Sequence, residues 1–128
     1  MADELPDTDA READIYVTRR SAEYRMVQFA SAQGIARLTL NRPPANVLSV
    51  EMVDEIVSAL ESLEYQRDVK LLVINASGKY YSAGFELGDH IGDRAYVLME
   101  QFHRLVELLG QMDKPSMAVV GGPALGAG

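Results

Sequence analysis

Two short segments carry the residue types that could do chemistry. Tyr81-Ser-Ala-Gly-Phe-Glu-Leu87 follows the apolar run Lys70-Leu-Leu-Val-Ile-Asn75, and Gly121-Gly-Pro-Ala-Leu-Gly-Ala-Gly128 follows Met117-Ala-Val-Val120. Both sit outside the carboxyl end of an expected strand, where parallel sheets bind their ligands. A glycine has no Cβ, so a ligand can approach the neighbouring main-chain N–H groups. Two such groups converging on one oxygen stabilise negative charge as it develops there. Three titratable residues, Glu86, Asp89 and His90, stand beside the first segment, where a general base would be useful. The commoner role of such residues is to solvate or cap the following loop. His103 lies among Phe102, Leu105 and Val106 and is expected to be a surface or packed histidine, and the Tyr80-Tyr81 pair is expected to pack. Taken alone, the glycine run is a weak signal. Its single G-x-G, Gly126-Ala-Gly128, opens no helix within the sequence, and no G-K-[S/T] follows, so neither a dinucleotide fingerprint nor a phosphate loop is present.

The elements that must position these segments follow from periodicity. Tyr24 to Phe29 and Ala36 to Leu40 alternate apolar and polar side chains around Gln33-Gly34, which predicts a hairpin-like pair of strands. Asn41-Arg-Pro-Pro44 closes the second. Met52, Val53, Ile56, Val57, Leu60 and Leu63 mark one face of a helix that ends near Tyr65, with Ser49 as its cap. The run from Lys70 to Asn75 lacks alternation, which predicts a strand covered on both faces, and Ser77-Gly78 is its turn. Val97, Leu98, Phe102, Leu105, Val106 and Leu109 predict a second helix with Gly110 as C-cap. Lys114-Pro115 then leads into a buried strand at Met117 to Val120. Strands alternating with helices imply right-handed parallel crossovers, so the class is α/β.

Composition narrows the function classes. The chain has 128 residues, net charge -7 and 48% hydrophobic content, enough for a core. Asp3, Glu4, Asp7, Asp9, Glu12 and Asp14 against Arg11 already give -5, so the acidity belongs to the first residues. Residues 1–20 are therefore expected to be a solvated, disordered leader, with 21–128 forming the folded part. The rest is nearly neutral and has no basic stripe, which argues against nucleic acid. No apolar stretch has the length of a membrane span, and the acidic start is unlike a secretory signal, so a cytoplasmic protein with no membrane partner is expected. There are no cysteines and only two histidines, which excludes a disulfide framework and a cysteine nucleophile and leaves no zinc site expected.

Three motifs in order carry a resemblance: Leu38-Thr-Leu-Asn-Arg-Pro-Pro-Ala-Asn-Val-Leu48, then Tyr81 to Leu87, then Lys114-Pro115 leading to Ala118 through Gly128. Together they resemble the crotonase, or enoyl-CoA hydratase/isomerase, superfamily over roughly residues 24–128. The resemblance implies part of a spiral of ββα turns with parallel strands, an acyl-CoA thioester as substrate with no separate cofactor, and a homo-oligomer, trimer or hexamer. Residue by residue, it implies that the N–H groups of Phe85 and Ala127 form the oxyanion hole for the thioester carbonyl as it becomes an enolate. It further implies that Ala45, Val47, Ala83, Gly84, Phe85, Glu86, Leu87 and Gly126 line the coenzyme A. The segment Phe85 to His90 with Phe102-His103 looks closest to hydratases of cyclic dienoyl-CoA esters; straight-chain hydration and double-bond isomerisation use the same hole.

The sequence departs from the family pattern in two places. Glu86 stands where an aspartate is common, and Ala127 where a glycine is common. Both expected donors are backbone groups, so neither change removes the chemistry. Family hydratases carry two acid/base glutamates after the glycine run, and the sequence read here ends before either. These 128 residues alone are therefore expected to turn over little enoyl-CoA. The non-catalytic alternative is a CoA-thioester-binding remnant or assembly partner. The last strand should leave an open edge and uncovered apolar surface, favouring an oligomer or a longer chain.

Overall fold

The computed structural model describes residues 24–90 and 92–128, except for the side chains of Asp89 and His90. The expected acidic leader lies outside the described residues. The chain opens with a tight hairpin: β1 (Val27–Ala32) runs antiparallel to β2 (Ile35–Leu40), in a register from Val27 opposite Leu40 to Ala32 opposite Ile35. Gln33 and Gly34 connect them with φ of 53° and 82°. Positive φ at both positions is the turn whose twist matches paired strands. Pairing therefore continues to the turn itself, and β1 sits three residues later than alternation alone suggested. The residues expected to begin it are held differently: the Glu55 carboxylate accepts the N–H groups of Arg25 and Met26.

Helix α1 (Val50–Ser62) starts where expected, with the Ser49 hydroxyl accepting the Met52 N–H at 3.2 Å. Met52, Val53, Ile56, Val57 and Leu60 are all buried, as the 3.6-residue spacing requires. A 3-10 turn, Leu63–Tyr65, ends it. Strand β3 (Leu71–Ala76) returns parallel to β2, and β4 (Ser116–Ala118) pairs parallel with β3, giving the order β1-β2-β3-β4. The fold is α/β, with a mixed sheet and helices packed on one side. Val27, Phe29, Ala36, Leu38 and Leu40 form one core with α1 and with Leu98, Leu105 and Leu108 of α2 (Gly92–Gln111). In β3, Leu72 and Val73 point to opposite faces and both are buried, as a continuous apolar run requires.

Two expectations are corrected. Gly110 does not cap α2: the helix continues through it to Gln111, held by the burial of Leu108, and begins earlier, at Gly92. Packing overrode the local stop signal. Strand β4 is three residues long and exposed along its whole length, where a buried strand was expected. No described residue forms a layer over it, and Met117, Val119 and Val120 are each about half exposed. Among the described residues no helix is long and apolar enough to cross a membrane.

Candidate functional site

Beyond the carboxyl ends of β2, β3 and β4, three segments run side by side. A parallel bridge joins Leu48 to Phe85, and a second joins Ser82 to Ala124. Leu48 clamps the middle segment, its N–H donating to Gly84 O at 2.7 Å and its carbonyl accepting the Glu86 N–H at 2.9 Å. Ser82 does the same for the last one: its carbonyl accepts the Leu125 N–H at 3.0 Å, while Tyr81 N–H donates to Pro123 O at 2.9 Å. The sheet thus ends in a small second layer made of loops.

This clamp sets the direction of the first expected amide. In a trans peptide the carbonyl and the following N–H point oppositely. The Gly84 carbonyl faces Leu48, so the Phe85 N–H points away from Leu48. On the same segment, a Cβ built on Gly84 would lie 3.6 Å from the Ala127 nitrogen and 2.9 Å from Leu125 O. The Gly84–Phe85 peptide and the Ala127 amide are therefore neighbours. Among the described residues no acceptor takes the Ala127 N–H. Gly84 has φ 99°, a conformation L side chains rarely adopt, so this close approach needs glycine twice over.

The remaining expected residues divide. Ala45 O accepts the Ala83 N–H and Val47 O accepts Arg42 Nη1 at 2.7 Å, so both carbonyls already have a partner. Glu86 is held by Arg42, with 2.9 Å between Nη1 and Oε1, and so is not a loose base beside the amides. Leu87 is 79% exposed, at the start of the 3-10 turn Leu87–His90, and Gly126 takes φ 55°. The side chains of Asp89 and His90 lie outside the described residues. His103 is not brought to the site: its side chain is 74% exposed on α2 and meets Glu107. The Arg42–Glu86 pair is about one-third exposed, so Glu86→Gln should lower stability by less than about 1 kcal/mol in urea titration. A loss above about 2 kcal/mol would mean that the pair is far better shielded than its exposure indicates.

Next to Ala127 and Gly128 opens a cavity of about 210 Å³, lined by Tyr81, Ile74, Phe102 and Leu109 among others and mostly apolar. Burial raises the Tyr81 phenol above its ordinary pKa, so it stays neutral at this wall. Phe102 of α2 meets Phe85 edge to face, ring centres 5.0 Å apart. Two residues that sequence reasoning did not single out prove central. Asn46 and Ser82 are polar and almost completely buried, and they join the three segments by hydrogen bonds. The available signal was a lone asparagine inside the apolar run Ala45-Asn-Val-Leu48.

Residues 30–128 match a family model described as enoyl-CoA hydratase/isomerase. A probable enoyl-CoA hydratase of Bacillus subtilis (strain 168) is 31% identical over 106 residues, covering 80% of this chain and 41% of that protein. A 4-chlorobenzoyl coenzyme A dehalogenase of an Arthrobacter species is 30% identical, covering 74% of this chain and 37% of that one. Among solved structures, an enoyl-CoA hydratase/isomerase from Xanthobacter autotrophicus Py2 superposes with TM-score 0.71 at 31% identity, covering 79% of this chain and 40% of its own. The chain spans about two fifths of the length of each.

Proposed function

Because the chain belongs to the enoyl-CoA hydratase/isomerase family, whose crotonase fold it shares, we propose that it binds an acyl-CoA thioester and holds the thioester carbonyl between the N–H groups of Phe85 and Ala127. The observation that carries this reading is the closeness of Gly84 to the Ala127 amide, whose N–H has no partner among the described residues. Fixed N–H dipoles need no reorganisation when the carbonyl oxygen gains charge, and each such donor stabilises a transition state by about 3–4 kcal/mol. The acyl group is an enoyl or cyclic dienoyl chain undergoing water addition, and the apolar cavity beside Ala127 gives it a dry environment. Coenzyme A enters as part of the substrate, along the backbone of residues 45–47 and 83–87. In this reading Glu86, ion-paired with Arg42, and His103, exposed on α2 beside Glu107, are left out of the acid/base chemistry.

Calorimetry with crotonyl-CoA, a cyclic dienoyl-CoA and free coenzyme A tests the reading. Two hydrogen bonds to the carbonyl should favour a thioester over free coenzyme A by about tenfold or more. Equal affinities would count decisively against an oxyanion hole, and the order of the two thioesters reads out the acyl preference.

A further inference from the structure

The hydrogen bonds around Asn46 exceed what a loop needs to hold its shape. Its side chain is 1% exposed, and every polar group it has is used. Oδ1 accepts the Arg42 N–H at 2.7 Å, and Nδ2 donates to Ser77 O and Tyr80 O, both at 3.0 Å. Its carbonyl accepts the Ser82 hydroxyl at 2.7 Å, and that same hydroxyl oxygen accepts the Gly84 N–H at 3.2 Å. Asn46 sits at φ 51°, a conformation asparagine tolerates better than most residues. One residue thus fixes the turn after β2, the turn after β3 and, through Ser82, the glycine whose peptide carries the Phe85 N–H.

We propose that Asn46 and Ser82 act as positioning residues, a buried relay that aims the Phe85 N–H at the thioester carbonyl; this rests on the oxyanion reading above. The two peptides that meet at Gly84 are each held. Leu48 donates to the Gly84 carbonyl of the Gly84–Phe85 peptide, and the Ser82 hydroxyl accepts the Gly84 N–H of the preceding Ala83–Gly84 peptide. Glycine has the widest backbone freedom of any residue, so without the Ser82 hold the Ala83–Gly84 peptide can turn about the Gly84 dihedrals and shift the Phe85 N–H beyond it. Misdirection of an N–H by a few tenths of a radian weakens its hydrogen bond while leaving the fold intact. Donation of the Ser82 hydroxyl proton to the Asn46 carbonyl fixes the hydroxyl rotor, so that a lone pair faces the Gly84 N–H.

Isotope-edited infrared spectroscopy of crotonyl-CoA labelled with ¹³C at the carbonyl, bound to the full chain, tests the relay alongside its affinity for free coenzyme A. A carbonyl that accepts hydrogen bonds absorbs at lower frequency than the free thioester. Ser82→Ala should recover at least half of that lowering and weaken crotonyl-CoA binding roughly two- to tenfold, the range for one hydrogen bond, with free coenzyme A bound as before. Ser82→Thr, which keeps the hydroxyl, should restore the wild-type frequency. Asn46→Asp keeps the shape but turns two donors into acceptors facing Ser77 O and Tyr80 O; if it does not fold, Ser82→Ala alone decides. A wild-type frequency shift that Ser82→Ala leaves unchanged overturns the relay and leaves the oxyanion reading standing. Parallel loss of free coenzyme A binding also overturns it, since that marks a merely structural role. Absence of any shift in the wild type overturns the oxyanion reading itself.

Discussion

Gly84→Ala should abolish the preference for a thioester over free coenzyme A and cost the chain about 2–4 kcal/mol of stability, the sum of a strained dihedral and a backbone clash. The strain arises because φ at this residue is 99°. The clash arises because the new Cβ meets Leu125 O at 2.9 Å. A side chain could rotate away, but a carbonyl in a bridged segment cannot. Its strand neighbour Ser82 holds Leu125 through a 3.0 Å hydrogen bond. Relief therefore requires residues 125–127 to move, and the Ala127 amide moves with them. Thermal melting gives the stability term and calorimetry gives the binding term. An alanine variant that keeps the wild-type thioester preference would show that the approach of these two segments does not build the site.

The sequence makes the local pieces of this arrangement legible because their causes are local. Ser49 caps α1 because a hydroxyl three residues before Met52 can accept its N–H, and alternation around Gln33-Gly34 announces a hairpin. Where a distant residue decides, the sequence is silent. Glu55 holds the backbone of Arg25 and Met26 from 29 or 30 residues away and so displaces the start of β1. Arg42 pairs with Glu86 from 44 positions away, a partner that the sequence around Phe85 does not announce. Gly110 carries a stop signal that Leu108 outweighs by burying itself against the core. Asn46 and Ser82 are the instructive omission. Short polar residues in loops normally face water, and only the fold shows these two turned inward with every bond made. The close approach at Gly84 was legible in part, because glycine is required where backbones touch, and that requirement is written in the residue type itself.

Leu98→Ala is expected to lower the unfolding free energy by about 3–5 kcal/mol, the range for deleting a buried leucine whose surroundings relax only partly. Leu98 is 1% exposed, the first buried residue of α2, on the side that packs against α1 and the sheet. Around it the polar contacts between the two helices are exposed, among them the ion pairs of Arg94 with Glu51 and of Arg104 with Glu61. Surface pairs of this kind contribute about 0–1 kcal/mol each, so burial of Leu98, Leu105 and Leu108 is what docks the helix. A domain's total stability is only about 5–15 kcal/mol, and this one substitution removes a large part of it. Urea titration should show a lower midpoint with the slope unchanged. The site should feel the change as well, because Phe102 lies one turn further along the helix and its ring edges onto that of Phe85. A loss below about 1 kcal/mol would mean that α2 is not seated through Leu98. The edge contact that steadies Phe85 would then need another support.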